Sequence, residues 1–142
     1  MLLGRHYLKA SKKNVFIVPR RLLSGQFFLT QGFEKNLLLI KKQDFEPLVN
    51  DFGHLTITDP LVRLLSRLML GNAAEINIDD TSRLYIPDYL ADFAQLGEGA
   101  ILVGQGKYLE LWSPVFWQEQ EKSLLDAAEN SSRFHLYNIN FA

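Results

Sequence analysis

The chain contains an internal repeat, and this feature constrains its fold more than any other. Residues 14–19 have the sequence NVFIVP, and residues 82–87, 68 positions later, have the similar sequence SRLYIP. Farther along, FFLTQGFEKNLLLI (27–40) parallels ILVGQGKYLELW (101–112), and Phe45 and Trp117 each open a predicted short helix. Two similar halves predict a pseudo-symmetric body that replaces a homodimer. Two-fold bodies commonly bind paired half-sites in DNA.

The repeat also sets the expected organisation of the chain. A length of 142 residues suits one compact domain, with copies at 1–56 and 72–127 joined by a helix at 59–71. No linker rich in Pro, Gly or Ser separates the copies, so we expect them to share one core. Short strands, tight turns and small helices in duplicate predict a mostly antiparallel α+β fold, and a small barrel flanked by helices satisfies the pattern.

Turn residues and β-branched or aromatic runs locate the expected elements. Strands are predicted at 4–10, 15–18, 26–30, 36–40, 74–78, 83–86, 100–104 and 108–112. Helices are predicted after Pro19, at 43–51, at 59–71, after Pro87, and from Ser113 to about Asn130. The final segment, SSRFHLYNINFA, is apolar on both sides of its alternation, so we expect it to dock on its own chain or on a neighbour.

The linking helix at 59–71 has the clearest signals. Asp59 can cap its start, a proline suits its first turn, and Gly71 can end it. Arg63 and Arg67 lie one turn apart, where a solvated or salt-bridged position is favoured over a phosphate contact. Another face is apolar, because it carries Leu61, Leu64, Leu65 and Leu68.

The net charge of −1 hides a strong asymmetry along the chain. Residues 1–50 hold nine Lys/Arg and three Asp/Glu, whereas residues 51–142 hold six and thirteen. Such a bias favours a surface for a polyanion. It is equally compatible with a solubilising face that pairs with the acidic half. The basic residues that precede the first acid, Glu34, are Arg5, Lys9, Lys12, Lys13, Arg20 and Arg21.

Several classes of protein are not indicated. The sequence has no cysteine, hence no disulfide framework or thiolate site, which fits a reducing cytoplasm. It lacks the motifs of serine hydrolases, zinc peptidases and phosphate-loop enzymes, and His6, His54 and His135 do not have ligand spacing. We therefore expect no catalytic residue, no metal and no cofactor. The stretch LVRLLSRLML is interrupted by arginines and is not expected to span a membrane.

Several segments, in the same order, resemble the MraZ family, bacterial transcription regulators of the AbrB-like swapped-hairpin class. ITDPLVRLLSRLMLGNAAE is similar to the family's linking helix, and DDTSRLYIP to its DxxGRxxIP signature, with Ser82 at the glycine position. LVGQGKYLELWSPVFW is similar to the family's C-terminal motif, and MLLG, TQGFEKNLLL and Pro19 also fit. The resemblance implies duplicated β-α-β half-units that form a pseudo-two-fold swapped-hairpin barrel with flanking helices.

The family carries a DxxxR motif in each half, and this chain retains only the second. Asp79 and Arg83 form it there, whereas Ser11 and Val15 occupy the first-half positions and Asn14 the first glycine position. Within this resemblance Arg83 is a candidate DNA contact, and Asp79 and Asn14 are expected to shape the loops. A guanidinium there can bind a phosphate or the O6 and N7 atoms of guanine. The alternative, in which Asp79 and Arg83 only brace the turn, stays open.

The first-half loop keeps its positive charge although it lacks the arginine. Lys12 and Lys13, with Lys9 and Arg5 on the preceding strand, are predicted to contact DNA phosphates, which carry no sequence information directly. We therefore hypothesise an uneven pair of loops. The second loop would select the sequence, and the first would supply charge.

The resemblance also implies a setting for these loops. It implies a ring-shaped homo-oligomer in the cytoplasm, associated with the nucleoid, that binds repeated boxes in double-stranded promoter DNA and usually represses the division and cell-wall gene cluster. The linking helix and the C-terminal segment are candidates for packing between subunits, and a core role suits both at least as well. An alternative function is an oligomeric scaffold, or a protein that binds DNA without sequence preference, because the first motif is lost.

Overall fold

The computed structural model describes residues 1–78 and 80–139, in which groups of strands are followed by one or two helices. The strands are β1 (Arg5–Lys12), β2 (Val15–Ile17), β3 (Gly25–Gln31), β4 (Leu37–Lys41), β5 (Ala74–Ile78), β6 (Arg83–Tyr85), β7 (Gly99–Gly104) and β8 (Tyr108–Trp112). The helices are α1 (Lys42–Gly53), α2 (Pro60–Met69), α3 (Asp88–Ala94), α4 (Pro114–Leu124) and α5 (Ala127–Leu136).

The strands form one antiparallel sheet that is nearly closed into a barrel. Their order is β5-β3-β4-β8-β7-β1-β2-β6, and every pairing between neighbours is antiparallel. The strands at the two ends of this order, β5 and β6, are consecutive in the chain and contact each other. Closure of this kind leaves little exposed strand edge for pairing with other chains.

A pseudo-two-fold axis relates the two halves of the barrel. Phe16 in β2 lies opposite Leu84 in β6, its own equivalent in the repeat, and the flanking pairs are symmetric around them. The β4–β8 pairing is symmetric around Leu38 and Glu110 in the same way. Strand β1 of the first half pairs with β7 of the second, and β5 of the second pairs with β3 of the first. The predicted α+β pseudo-two-fold barrel with exchanged hairpins is therefore confirmed.

The main core lies inside the barrel and takes side chains from both halves. Phe16 and Leu84 are fully buried in it, at the symmetry axis. Because residues of both halves form this single cluster, neither half would enclose the core alone. Its other fully buried large side chains are Leu23, Phe27, Leu29, Leu37, Leu39, Leu90, Leu102, Leu109 and Leu111.

Two helices are attached to the outside of the barrel by buried aromatic residues at matching positions. Phe45 of α1 stacks on Phe28 with ring centroids 4.5 Å apart. Trp117 of α4 packs against Trp112, with centroids 5.8 Å apart. The sequence similarity between Phe45 and Trp117 thus corresponds to the same task in each half.

The predicted helix after Pro19 is wrong. The N–H groups of Leu22 and Leu23 both donate to the Pro19 carbonyl at 3.0 Å, which makes a single turn before β3 begins at Gly25. The equivalent segment after Pro87 does form a helix, α3, because it has residues 88–98 in which to do so. The first half has only residues 20–24 between its proline and the next strand.

The single helix predicted from Ser113 to about Asn130 is two helices. Helix α4 ends at Leu124, and α5 begins at Ala127 with Asp126 as its cap, accepting from the Glu129 N–H at 3.1 Å. Residues 131–136, part of the C-terminal segment with the alternating sequence, are helical as well. Helix α5 has no buried residue, and residues 140–142 lie outside the described part of the chain.

The predicted linking helix is present as α2, with the Asp59 side chain accepting from the Leu61 N–H at 2.9 Å. Its leucine face, however, is left open by the described part of the chain. Leu61 and Leu64 are 59% and 60% exposed, and Leu65 is exposed as well. Among the described residues, no helix is long and apolar enough to cross a membrane.

Candidate nucleic-acid interface

Two equivalent loops flank the β2–β6 pair at the symmetry axis. One joins β1 to β2, and the other joins β5 to β6. Each contains a residue in the left-handed backbone region, Asn14 with φ 60° and Ser82 with φ 55°. These are the positions at which the resemblance places glycine, and glycine adopts such a φ without the steric cost that other residues have.

Each loop is fixed by the other half of the molecule. The Val18 N–H donates to the Ser82 carbonyl at 2.9 Å, and the Ile86 N–H donates to the Asn14 carbonyl at 2.9 Å. In addition, the Asn14 side-chain Nδ2 donates to Asp88 Oδ1 at 2.7 Å. The two loops are therefore held in fixed positions relative to each other, as binding to two sites on one ligand requires.

Ser82→Gly is expected to stabilise the protein by about 0.5–1 kcal/mol, because serine bears a steric cost at this φ that glycine avoids. The matched change Asn14→Gly is expected to destabilise it by about 1 kcal/mol, because it removes the hydrogen bond to Asp88. Urea denaturation of both variants measures these differences. If both substitutions changed the free energy of unfolding in the same direction, the contrast between backbone strain at Ser82 and the amide hydrogen bond at Asn14 would be wrong.

The first loop presents its lysines to solvent. Lys9, Lys12 and Lys13 are exposed, and within residues 1–78 and 80–139 none has an ion pair. The Lys12 ammonium lies 5.9 Å from the centroid of the Tyr85 ring, which it can bind through a cation–π interaction. The same lysines line a cleft of about 600 Å³ beside α3, and this cleft is also lined by two acidic residues, Asp92 and Glu98. The three ammonium groups can therefore bind an anion that approaches from solvent.

The second loop carries the arginine that the sequence singles out. Arg83 is half-buried at the start of β6, directly opposite Ile17. In the described part of the chain its guanidinium has no hydrogen bond or ion pair. Asp79, predicted to shape this loop, lies outside the described residues. The strand pairing fixes the Arg83 backbone, and the described residues leave its side-chain donors available.

Arg5 lies far from the first loop. Its guanidinium carbon is 5.1 Å from the centroid of the Trp117 ring, and its Nη1 is 3.8 Å from Glu121 Oε1. It is at the opposite end of β1 from Lys12, about 23 Å away along an extended strand. The structure therefore groups Lys9, Lys12 and Lys13 and places Arg5 with α4.

At the position equivalent to Arg83, the first loop has a buried apolar residue. Val15, which stands at the position of Arg83, is buried. The Ser11 hydroxyl donates to the Val15 carbonyl at 3.4 Å, which is at the long limit for a hydrogen bond. The first loop consequently offers lysines but no guanidinium.

One charged contact at the second loop was not predicted. Arg20, just after Pro19, donates from Nη2 to Asp80 Oδ1 at 2.6 Å. The basic run in the sequence includes Arg20, but only the pseudo-symmetry shows that it reaches the opposite loop. The equivalent residue in the other half is Asp88, which binds Asn14.

Comparisons with known proteins find similar chains of one family. A family model described as "MraZ protein, putative antitoxin-like" matches residues 69–136. The chain is 33% identical over 135 residues to "Transcriptional regulator MraZ" of Thermomicrobium roseum, covering 93% of this chain and 94% of the relative. Proteins of the same name from Nitrosospira multiformis and Dictyoglomus turgidum are 35% and 30% identical over 132 residues, each covering 90% of the relative.

Proposed function

The chain belongs to the MraZ family of transcriptional regulators, and we propose that it binds double-stranded DNA with sequence preference to regulate transcription. The observation that carries the proposal is the pair of symmetric, mutually fixed loops that flank β2 and β6 and present cations to solvent. We propose further that it represses the division and cell-wall gene cluster from repeated promoter boxes, as the resemblance implies, and works in the cytoplasm at the nucleoid.

The two loops would contribute differently to binding. Arg83 can form two parallel hydrogen bonds to the O6 and N7 atoms of a guanine, which distinguishes one base pair from the others. Lys12 and Lys13 can neutralise phosphates, which raises affinity for any sequence. Sequence preference would thus come from the second loop and general affinity from the first.

Replacing both Lys12 and Lys13 with alanine is expected to weaken binding to every DNA fragment by a similar factor. The slope of log K against log salt concentration should fall in magnitude by about 0.9 for each phosphate that the variant no longer neutralises. Titrations at several salt concentrations measure the slope. A slope equal to that of the wild type would show that these lysines do not face phosphate.

We propose that several copies assemble into a ring, with α2 and α5 packed between subunits. Two observations support this placement. The leucine face of α2 is exposed, and so is every residue of α5 except the half-buried Asn130. Linked loops bind at high effective concentration, so affinity can rise by roughly two to four orders of magnitude over a single loop. Sedimentation velocity should find a species several times the mass of one chain; a species of one chain's mass would contradict the ring.

The direct test of the function compares two DNA fragments in a competition assay at near-physiological salt. One carries the DNA immediately upstream of the coding sequence, and the other is a scrambled version with the same composition. Specific binding proteins prefer their sites by about a thousandfold or more. A clear preference for the native fragment supports a regulator, and equal binding to both would remove the proposed sequence selection.

A second candidate function is an oligomeric scaffold, or a protein that binds DNA without sequence preference. The first loop favours it, because Ser11 and the buried Val15 occupy the positions of the motif's acid and arginine. The two candidates differ over Arg83. Only a sequence-selective protein would lose its preference when that side chain is removed.

A further inference from the structure

The arginine that approaches the second loop comes from the other half of the repeat. Arg20 lies in the turn after Pro19. The hydrogen bond from the Val18 N–H to the Ser82 carbonyl fixes the backbone just before this turn against the second loop. The repeat offset of 68 residues makes Asp88 its equivalent and Lys12 the equivalent of Asp80. The charges of the pair are therefore reversed between the halves.

The ion pair between Arg20 and Asp80 is open to solvent. The two side chains are 61% and 93% exposed, respectively, and their closest atoms are 2.6 Å apart. Exposed pairs of this kind contribute little to stability, since water screens them and ordering both side chains costs entropy. A phosphate, which also accepts two parallel hydrogen bonds from a guanidinium, can compete with the carboxylate for Arg20.

This inference rests on the DNA-binding function proposed above. We propose that Arg20 is a DNA-contact residue of the second loop, held by Asp80 in the free protein and transferred to a phosphate when DNA binds. The second loop would then have two guanidinium groups, Arg83 from its own strand and Arg20 from the other half. The first half of the repeat has no arginine at Val15, in its own loop. Through Arg20 it would instead supply a guanidinium to the second loop.

A brace and a contact predict opposite effects of removing the carboxylate. If the pair only braces the loop, removing either partner weakens binding. If Arg20 contacts phosphate, Asp80→Asn frees it, and the variant should bind up to about fivefold more tightly for each engaged subunit. This gain should disappear in the double variant with Arg20→Gln, whereas a gain from the lost repulsion between Asp80 and phosphate would persist there. The salt slope of Asp80→Asn should equal that of the wild type, because the number of neutralised phosphates does not change.

The experiment measures dissociation constants across salt for the wild type, Arg20→Gln, Asp80→Asn and the double variant, on native and scrambled DNA. Lys107→Gln is the matched control, since it removes one exposed positive charge in the β7–β8 turn. We expect Arg20→Gln and the double variant to lower the slope magnitude by at least about 0.9 and Lys107→Gln to leave it unchanged.

Two results would overturn the role of Arg20 while leaving the regulator function intact. One is a slope for Arg20→Gln equal to that of Lys107→Gln. The other is weaker binding by Asp80→Asn, which would identify a brace. If the wild type binds neither fragment, the DNA-binding function itself fails, and the role of Arg20 fails with it.

Discussion

Arg83→Ala is expected to remove most of the preference for native DNA over scrambled DNA. The side chain begins β6 directly after the left-handed Ser82, and no described residue occupies its donors. A bidentate contact to a base contributes about 1–3 kcal/mol of discrimination, or roughly a 5- to 150-fold loss of preference for each engaged loop. Fluorescence anisotropy at fixed salt measures the two dissociation constants and their ratio.

Two variants separate the role of base contacts from the role of charge. Arg83→Lys keeps the charge but not the planar fork, so it should retain most of the affinity for scrambled DNA and still lose preference. Lys107→Ala removes an exposed charge elsewhere and should keep the wild-type ratio. If Arg83→Ala keeps the wild-type preference, Arg83 braces the turn and does not select the sequence.

Phe16→Ala is expected to lower the free energy of unfolding by about 3–5 kcal/mol, because it leaves a cavity where the two halves meet. Phe16 is fully buried and lies opposite Leu84, its repeat equivalent. Relaxation around the cavity is restricted on both sides, since β2 and β6 are also tied by the loop hydrogen bonds. Urea denaturation at one fixed protein concentration measures the decrease, because assembly would otherwise contribute.

Ile17→Ala is the matched control for this change. Ile17 follows Phe16 in the same strand but points outward and is 44% exposed. Its truncation should cost about 1 kcal/mol or less, since little apolar area returns to water. If the free energy of unfolding fell equally in the two variants, the side chains packed at the symmetry axis would not be the most tightly packed part of the barrel.

Much of the barrel could be predicted because its repeat is visible in the sequence. The strands and the capped α2 helix follow from local patterns that tertiary packing does not oppose, and the positions of Asn14 and Ser82 follow from the resemblance. The helix after Pro19 could not be predicted from the proline alone. The number of residues before β3 decides the outcome, and that number depends on where β3 pairs with β5.

The candidate site could be predicted only in part. Lys9, Lys12, Lys13 and Arg83 are recognisable from charge and from the resemblance. Contacts across the axis, such as that of Arg20 with Asp80, depend on how the hairpins exchange, and local periodicity contains no such information. The position of Arg5 beside Trp117 is unpredictable for the same reason, since the contact joins β1 to a helix from the other half.

The most direct test of unequal loops is one titration series with three proteins: wild type, Arg83→Ala, and the Lys12/Lys13 double alanine variant. For each, the ratio of dissociation constants on scrambled and native DNA is measured together with the salt slope. We predict that Arg83→Ala lowers the ratio, and that the lysine variant lowers the slope magnitude by about 0.9 for each phosphate no longer neutralised, with little change in the ratio. If both variants change the ratio and the slope alike, the loops have the same role and their proposed division of function is wrong.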